Sequence, residues 1–260
     1  MNKMPMLFIG HGSPMNAIEP DNIFNQGIVA EGQKLTKPKA ILMISAHWYS
    51  RELQVMSGEQ PSMMYDFHGF PDELNQVIYP AHGLPDLAAQ VQQLIDEPVQ
   101  LNAERGFDHG AWAVLKYLFP DADVPVVQLS IKRHQSPEWH IHIAKQLATL
   151  REQGVLIVGS GNIVHNLGAI SWQHIKQVGA AFDWAVDFQT HINQAILSKD
   201  IATLAHYADF GQAAQLAVPT DEHYLPLLYI MALSDEHDTP RLFNDTYIGG
   251  SLSMTSVVLS

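Results

Sequence analysis

Short apolar runs of strand length punctuate the chain at Met6–Ile9, Ala40–Ser45, Val124–Leu129 and Val155–Val158. β-branched residues dominate the last two, and all four read as buried strands, with Leu53–Met56 as a further one. Helical patterns lie between them. In Pro137–Gln153 the apolar positions Trp139, Ile143, Leu147 and Leu150 recur at helical spacing. Ser136 is placed to cap that helix, Pro137 fits its first position and Gly154 fits its end. Asp86–Glu97, Ala111–Leu118, Val178–Leu197 and Asp221–Leu233 predict further helices. The chain closes with two strand-like segments, Arg241–Phe243 and Leu252–Leu259, joined near Gly249–Gly250. Strands alternating with helices predict an α/β fold. No repeat, low-complexity tract or linker divides the chain, so residues 1–260 read as a single domain. A mixed, mostly parallel central sheet flanked by helices is expected, with the C-terminal pair adding antiparallel strands.

Three predicted strands run directly into histidines. Met6–Ile9 leads to Gly10-His11-Gly12-Ser13-Pro14, Ala40–Ser45 to Ala46-His47-Trp48, and Val155–Val158 to a loop ending in His165. In open α/β sheets ligands bind beyond the carboxyl ends of the strands. Histidines far apart in sequence can therefore converge on one metal site there. His223 is a fourth candidate, read as lying in the first turn of a helix capped by Thr220, with Glu222 beside it as a carboxylate ligand or partner. His109, just ahead of the Ala111 helix, is a candidate for proton transfer. His140 and His142 are read as surface or half-buried. So are His68, His82, His134, His174, His191, His206 and His237.

Composition sharpens this picture. The chain of 260 residues has 14 histidines, as many as Lys and Arg together, and no cysteine. Disulfides, Cys-type zinc sites, iron–sulfur clusters and thiolate catalysis are excluded, so any metal is held by imidazole and carboxylate. A net charge of −13 without a basic stripe argues against nucleic-acid binding. The longest apolar stretch, Leu225–Leu233, is far too short to cross a membrane and contains Pro226. With no secretion signal evident, a cytoplasmic location is expected. No Walker A, H-E-x-x-H or G-x-S-x-G motif occurs.

The segments around His11, His47, His109 (Gly106-Phe107-Asp108-His109-Gly110), His165 (Ser160-Gly161-Asn162-Ile163-Val164-His165-Asn166-Leu167) and His223 (Glu222-His223-Tyr224-Leu225-Pro226) occur in an order that is recognisable. With them the chain resembles the extradiol aromatic ring-opening dioxygenases of the 4,5-DOPA dioxygenase type, in their bacterial branch. These stand within the wider family of protocatechuate 4,5-dioxygenase catalytic subunits. The resemblance implies a non-haem metal site with His11 and His47 as ligands. His223 takes the third place, or Glu222 does, since the protocatechuate branch uses a carboxylate there. It implies His165 as a residue of the metal site, either a further ligand or the general base, with His109 a second proton-transfer group. The implied reaction is 4,5-cleavage of a DOPA-like catechol by O₂ to a semialdehyde that can cyclise to betalamic acid. Fe²⁺ is the implied metal for turnover, with Zn²⁺ as an alternative occupant that has no redox chemistry. A zinc-dependent hydrolase using the same histidines is the competing reading, and a non-catalytic metal-binding protein a third. A monomer or small homo-oligomer fits equally well.

Overall fold

The computed structural model describes residues 3–173, 175 and 177–260; His174 lies outside them. The strands are β1 (Met6–Gly10), β2 (Ala40–Ser50), β3 (Leu53–Met56), β4 (Val99–Asn102), β5 (Val126–Lys132), β6 (Val155–Gly161), β7 (Pro240–Phe243), β8 (Tyr247–Ile248), β9 (Leu252–Ser253) and β10 (Ser256–Leu259). The helices are α1 (Ile23–Gly32), α2 (Pro85–Leu94), α3 (His109–Leu118), α4 (Pro137–Lys145), α5 (Thr149–Glu152), α6 (Asp183–Leu197), α7 (Ile201–Ala205), α8 (Gln212–Ala217) and α9 (Leu225–Ala232). Among the described residues one eight-stranded sheet runs in the order β4-β3-β5-β2-β6-β1-β10-β7.

The heart of the sheet is parallel. β1 pairs with β6, β6 with β2, and β2 with β5, all in the same direction. β10 and β7 add antiparallel strands beyond β1, as the C-terminal pattern predicts. Alternation along β1 sends Met6 and Phe8 to one face and Leu7 and Ile9 to the other. Both faces are covered. α2, α4, α6 and α9 pack on the first, α1 and α3 on the second. The parallel strands end on one edge, and the histidine-bearing segments gather there.

The structure revises several expected boundaries. The helix expected over Pro137–Gln153 breaks after Lys145 and resumes at Thr149. Between them the ladder tightens to i→i+3 hydrogen bonds from Gln146, Leu147 and Ala148. α6 starts at Asp183 rather than Val178, because Gly179 adopts a φ of +91° and the amide of Phe182 is tied to Gly250. α9 starts at Leu225 rather than Asp221, since Pro226 has no amide proton to give and fits only a first turn. His223 therefore sits in the turn before the helix, and Thr220 donates its hydroxyl to Glu222 instead of capping the helix. β2 continues to Ser50, so His47 lies within a strand and not after it. His140 is also corrected: it is fully buried, with Nδ1 3.1 Å from the Tyr229 hydroxyl across the α4–α9 contact.

Candidate metal centre

His11 follows the last residue of β1, and its amide bonds the carbonyl of Gly161 on β6. His47 comes from β2 where the register against β5 shifts between Ile44 and Tyr49, an irregularity that re-aims side chains. His223 is delivered from the opposite side. The amide of Asn162 donates to the His223 carbonyl at 2.9 Å, docking the turn onto the end of β6. That docking requires Gly161, where an added Cβ would stand 2.1 Å from the same carbonyl oxygen. Gly161→Ala is accordingly expected to displace His223. It should cost about 1–3 kcal/mol in urea unfolding and weaken metal binding; a variant with unchanged metal affinity would show that the turn is not held by this approach.

The three rings stand nearly equidistant. Centroids are 5.0 Å apart for His11–His47, 5.3 Å for His11–His223 and 5.1 Å for His47–His223. Their tautomers follow from what each Nδ1 meets. Ser160 donates its hydroxyl to the carbonyl of Gly110 at 2.6 Å, so its oxygen accepts from His11 Nδ1–H at 2.9 Å. His223 Nδ1–H donates to Glu222 Oε1 at 3.0 Å. His47 Nδ1 faces Asp66 Oδ2 at 3.4 Å. That leaves a lone pair on Nε2 of His11 and of His223, and on Nε2 of His47 when its proton sits on the Nδ1 that faces Asp66. His223 Nε2 is buried without a partner, and the Nε2 atoms of His11 and His47 face each other at 3.1 Å. Two lone pairs at that distance repel unless a cation is shared. Two imidazole nitrogens on one tetrahedral ion lie about 3.3–3.4 Å apart at ordinary bond lengths. The donor set and its hydrogen-bonded supports therefore fit a metal ion. Burial, reinforced by the neighbouring histidines, holds His11 and His223 well below the usual imidazole range. Burial and His109 bring His47 to about 4 against the pull of nearby carboxylates. All three are neutral at pH 7, the form that ligates.

Glu222, the carboxylate rival for the third place, spends Oε1 on the proton of His223 Nδ1 and the hydroxyl of Thr220. His165 lies flat on His223, with centroids 3.5 Å apart and planes 6° from parallel. An ion in the plane of the His223 ring stands about 3.5 Å from the plane of His165. Bonding distance is about 2.0–2.1 Å, so with the rings as they stand an ion in the His223 plane is out of bonding reach of His165. Burial, with His47 and His109, lowers His165 to about 4 against the opposing Glu222. His109 completes the ring of histidines, 3.8 Å from His47 and 5.8 Å from His11 between centroids. Its donor atom falls with those of His11 and His47 within 4.8 Å of one another; those of His165, Glu222 and His223 form a second such group.

Residues the sequence did not single out hold this frame. Asp108 is fully buried and accepts from Ser45 Oγ at 2.6 Å, Arg105 Nη2 at 2.6 Å and Gln128 Nε2 at 2.9 Å. It also caps α3, so one carboxylate ties the backbone seats of His47 and His109 together. Asp66 reaches in from the loop after β3. It is the only Asp, Glu, Lys or Arg between Glu59 and Asp72, and that isolation is the one signal the sequence offered.

The chain has recognisable relatives among known proteins. Residues 6–230 match the family described as the catalytic LigB subunit of aromatic ring-opening dioxygenase. The chain is 40% identical to a protein of Escherichia coli K12 named 4,5-DOPA dioxygenase extradiol, over 98% of this chain and 94% of the relative. It is 34% identical to a protein of the same name from Beta vulgaris, over 96% of this chain and 94% of the relative. Among solved structures, an uncharacterized protein of E. coli K12 superposes with a TM-score of 0.86 at 37% identity, covering 99% of this chain and all of that one.

Proposed function

Because the chain belongs to the family of catalytic LigB subunits of aromatic ring-opening dioxygenases, we propose that it opens a DOPA-like catechol by extradiol cleavage, with ferrous iron held by His11, His47 and His223. The observation that supports the ligand set is the near-equidistant placing of three histidine rings, with the Nε2 atoms of His11 and His47 3.1 Å apart and that of His223 buried without a partner. A ferrous ion there would supply Lewis acidity toward a catechol and the redox capacity toward O₂ that zinc lacks.

The chain's own residues then handle protons and orientation. His165, neutral at pH 7, takes the proton of a catechol hydroxyl on a ring nitrogen, and its face-to-face seat on His223 fixes that nitrogen beside the metal triad. The same imidazole, now charged, can return the proton during ring opening. His109 offers a second proton-transfer group, oriented by Asp66. Phe67 stands edge-on to His109, with centroids 5.8 Å apart, and presents an aromatic wall beside the histidines that an aromatic substrate can pack on. Glu222 orients His223 rather than ligating. With L-DOPA as substrate the 4,5-cleavage product is a semialdehyde that closes to betalamic acid, and the names of the relatives support that choice.

The test is product identification. The Fe²⁺-loaded protein is incubated in air with L-DOPA and with simpler catechols, and yellow semialdehyde or betalamic acid is followed by absorbance and mass. Ring-opened product from iron-loaded protein and none from zinc-loaded protein is the expected result. An all-imidazole triad also suits zinc. Ester or amide hydrolysis by the zinc form, without ring opening by the iron form, would replace this reading with the hydrolase.

A further inference from the structure

Asp66 arrives at the site from a loop that is fastened before and beyond it. Met63 pairs with Phe107 in a parallel bridge, through Met64 N to Phe107 O at 2.7 Å and Phe107 N to Ser62 O at 2.8 Å. Trp112 Nε1 donates to the carbonyl of Met64 at 3.0 Å, and Tyr65 donates its hydroxyl to the carbonyl of Val77. An added Cβ at Gly106 would stand 2.2 Å from the Ser62 carbonyl oxygen, so the two segments can close only with glycine there. The outcome is a carboxylate with one oxygen hydrogen-bonded to His109 and the other turned toward His47. Oδ1 accepts from the backbone amide of His109 and from His109 Nδ1–H, each at 2.9 Å. Oδ2 faces His47 Nδ1 at 3.4 Å. The two rings it touches stand 3.8 Å apart.

We propose that Asp66 is a positioning residue that sets the tautomers of His47 and His109 together, and so governs metal affinity through His47 and proton transfer through His109. This rests on His47 being a metal ligand, as proposed above. The physical reason is that a metal needs the lone pair on His47 Nε2, so the ring proton must stay on Nδ1, and an acceptor placed at Nδ1 keeps it there. Asp66 Oδ2, facing that nitrogen at 3.4 Å, is the acceptor the proposal assigns to it. On His109 the same carboxylate keeps the proton on Nδ1 and leaves Nε2 able to exchange one with substrate.

Asp66→Asn separates these roles from mere packing. Its amide oxygen can still serve the two donors of His109. Its amide nitrogen then replaces Oδ2 opposite His47 Nδ1, so donor meets donor and His47 is driven to the tautomer with its proton on Nε2. Co²⁺ binding, read by competition with a chelator and by the visible spectrum, is expected to weaken 10- to 100-fold, while the unfolding midpoint of the metal-free protein is unchanged. Asp66→Glu, which restores an acceptor, should recover part of the affinity. A long-range proton–nitrogen spectrum of the wild-type Zn²⁺ form should show His47 with its proton on Nδ1. Wild-type Co²⁺ affinity in Asp66→Asn overturns the proposal, and so does a His47 spectrum with Nδ1 bare, whatever the stability of the variant. None of these readings needs turnover. A wild type that binds Co²⁺ but opens no catechol in its iron form would count against the reaction and not against Asp66. A His47→Ala protein with full affinity would remove the ligand set itself.

Discussion

His165→Gln should retain its metal and lose its turnover. Glutamine fills much of the same space and can lie on His223, but it cannot take a proton at neutral pH. General acid–base catalysis contributes about 10²–10⁴-fold, and kcat should fall by that order with metal content unchanged. The prediction follows from the stack. A ring lying 3.5 Å above His223 and parallel to it is out of bonding reach of an ion held in the His223 plane. Loss of metal together with activity would instead make His165 a ligand. The measurement is metal analysis of the purified variant alongside steady-state rates.

The second large effect concerns stability, away from the site. Arg151 and Asp238 form a buried pair, 1% and 5% exposed in their side chains. Arg151 donates from Nη1 and Nη2 to the two carboxylate oxygens at 2.7 and 2.6 Å, and it also holds the carbonyls of Met4 and Leu233. It thereby joins the segment before β1 to the end of α9. Asp238→Asn leaves the guanidinium without its counter-charge and should cost about 3–5 kcal/mol in urea unfolding. Replacing both by apolar residues should cost less, because no charge is stranded. The pair also gives a pH dependence. Burial raises the carboxyl of Asp238, but the hydrogen bonds and charge of Arg151 outweigh it and hold the group below its ordinary value. A depressed carboxyl stabilises the fold above its unfolded pKa of about 3.9 and loses that contribution as pH falls through the folded value. Stability should therefore drop below about pH 4, and the drop should be shallower in Asp238→Asn. A parallel decline in both proteins would show that the pair is not responsible.

What could be read from the sequence was whatever repeats along the chain or sits at a strand end. The apolar runs located β1, β2, β5 and β6, and the parallel order they imply was enough to bring His11, His47 and His165 to one edge of the sheet. Contacts without a period were not legible. Asp66 meets His109 from a loop with no helical or strand spacing, and no local rule joins residues so far apart. β4 and α1 were missed for a related reason. Val99–Asn102 is half polar at the sheet edge, and Ile23–Gly32 carries two glycines and a weak apolar face whose clearest start signal is Asn22 accepting from the amide of Phe24. His140 is instructive because its signal was present. It precedes Ile143 by three residues and Leu147 by seven, on the stripe that faces the core, yet a polar residue there reads as surface until Tyr229 supplies its partner. The position of His223 was legible, but Pro226 placed it in a turn and not in a helix.

Oxygen uptake tests the proposed ring cleavage most directly. Metal-free protein is reconstituted anaerobically with Fe²⁺ and mixed with L-DOPA in oxygenated buffer, with His11→Ala, His47→Ala and His223→Ala in parallel. A ferrous triad of these histidines predicts one O₂ consumed per catechol by the wild type, and neither bound iron nor uptake in the three variants. Stoichiometric iron in the wild type with no oxygen consumed for any catechol, or full uptake by any of the three variants, would contradict it.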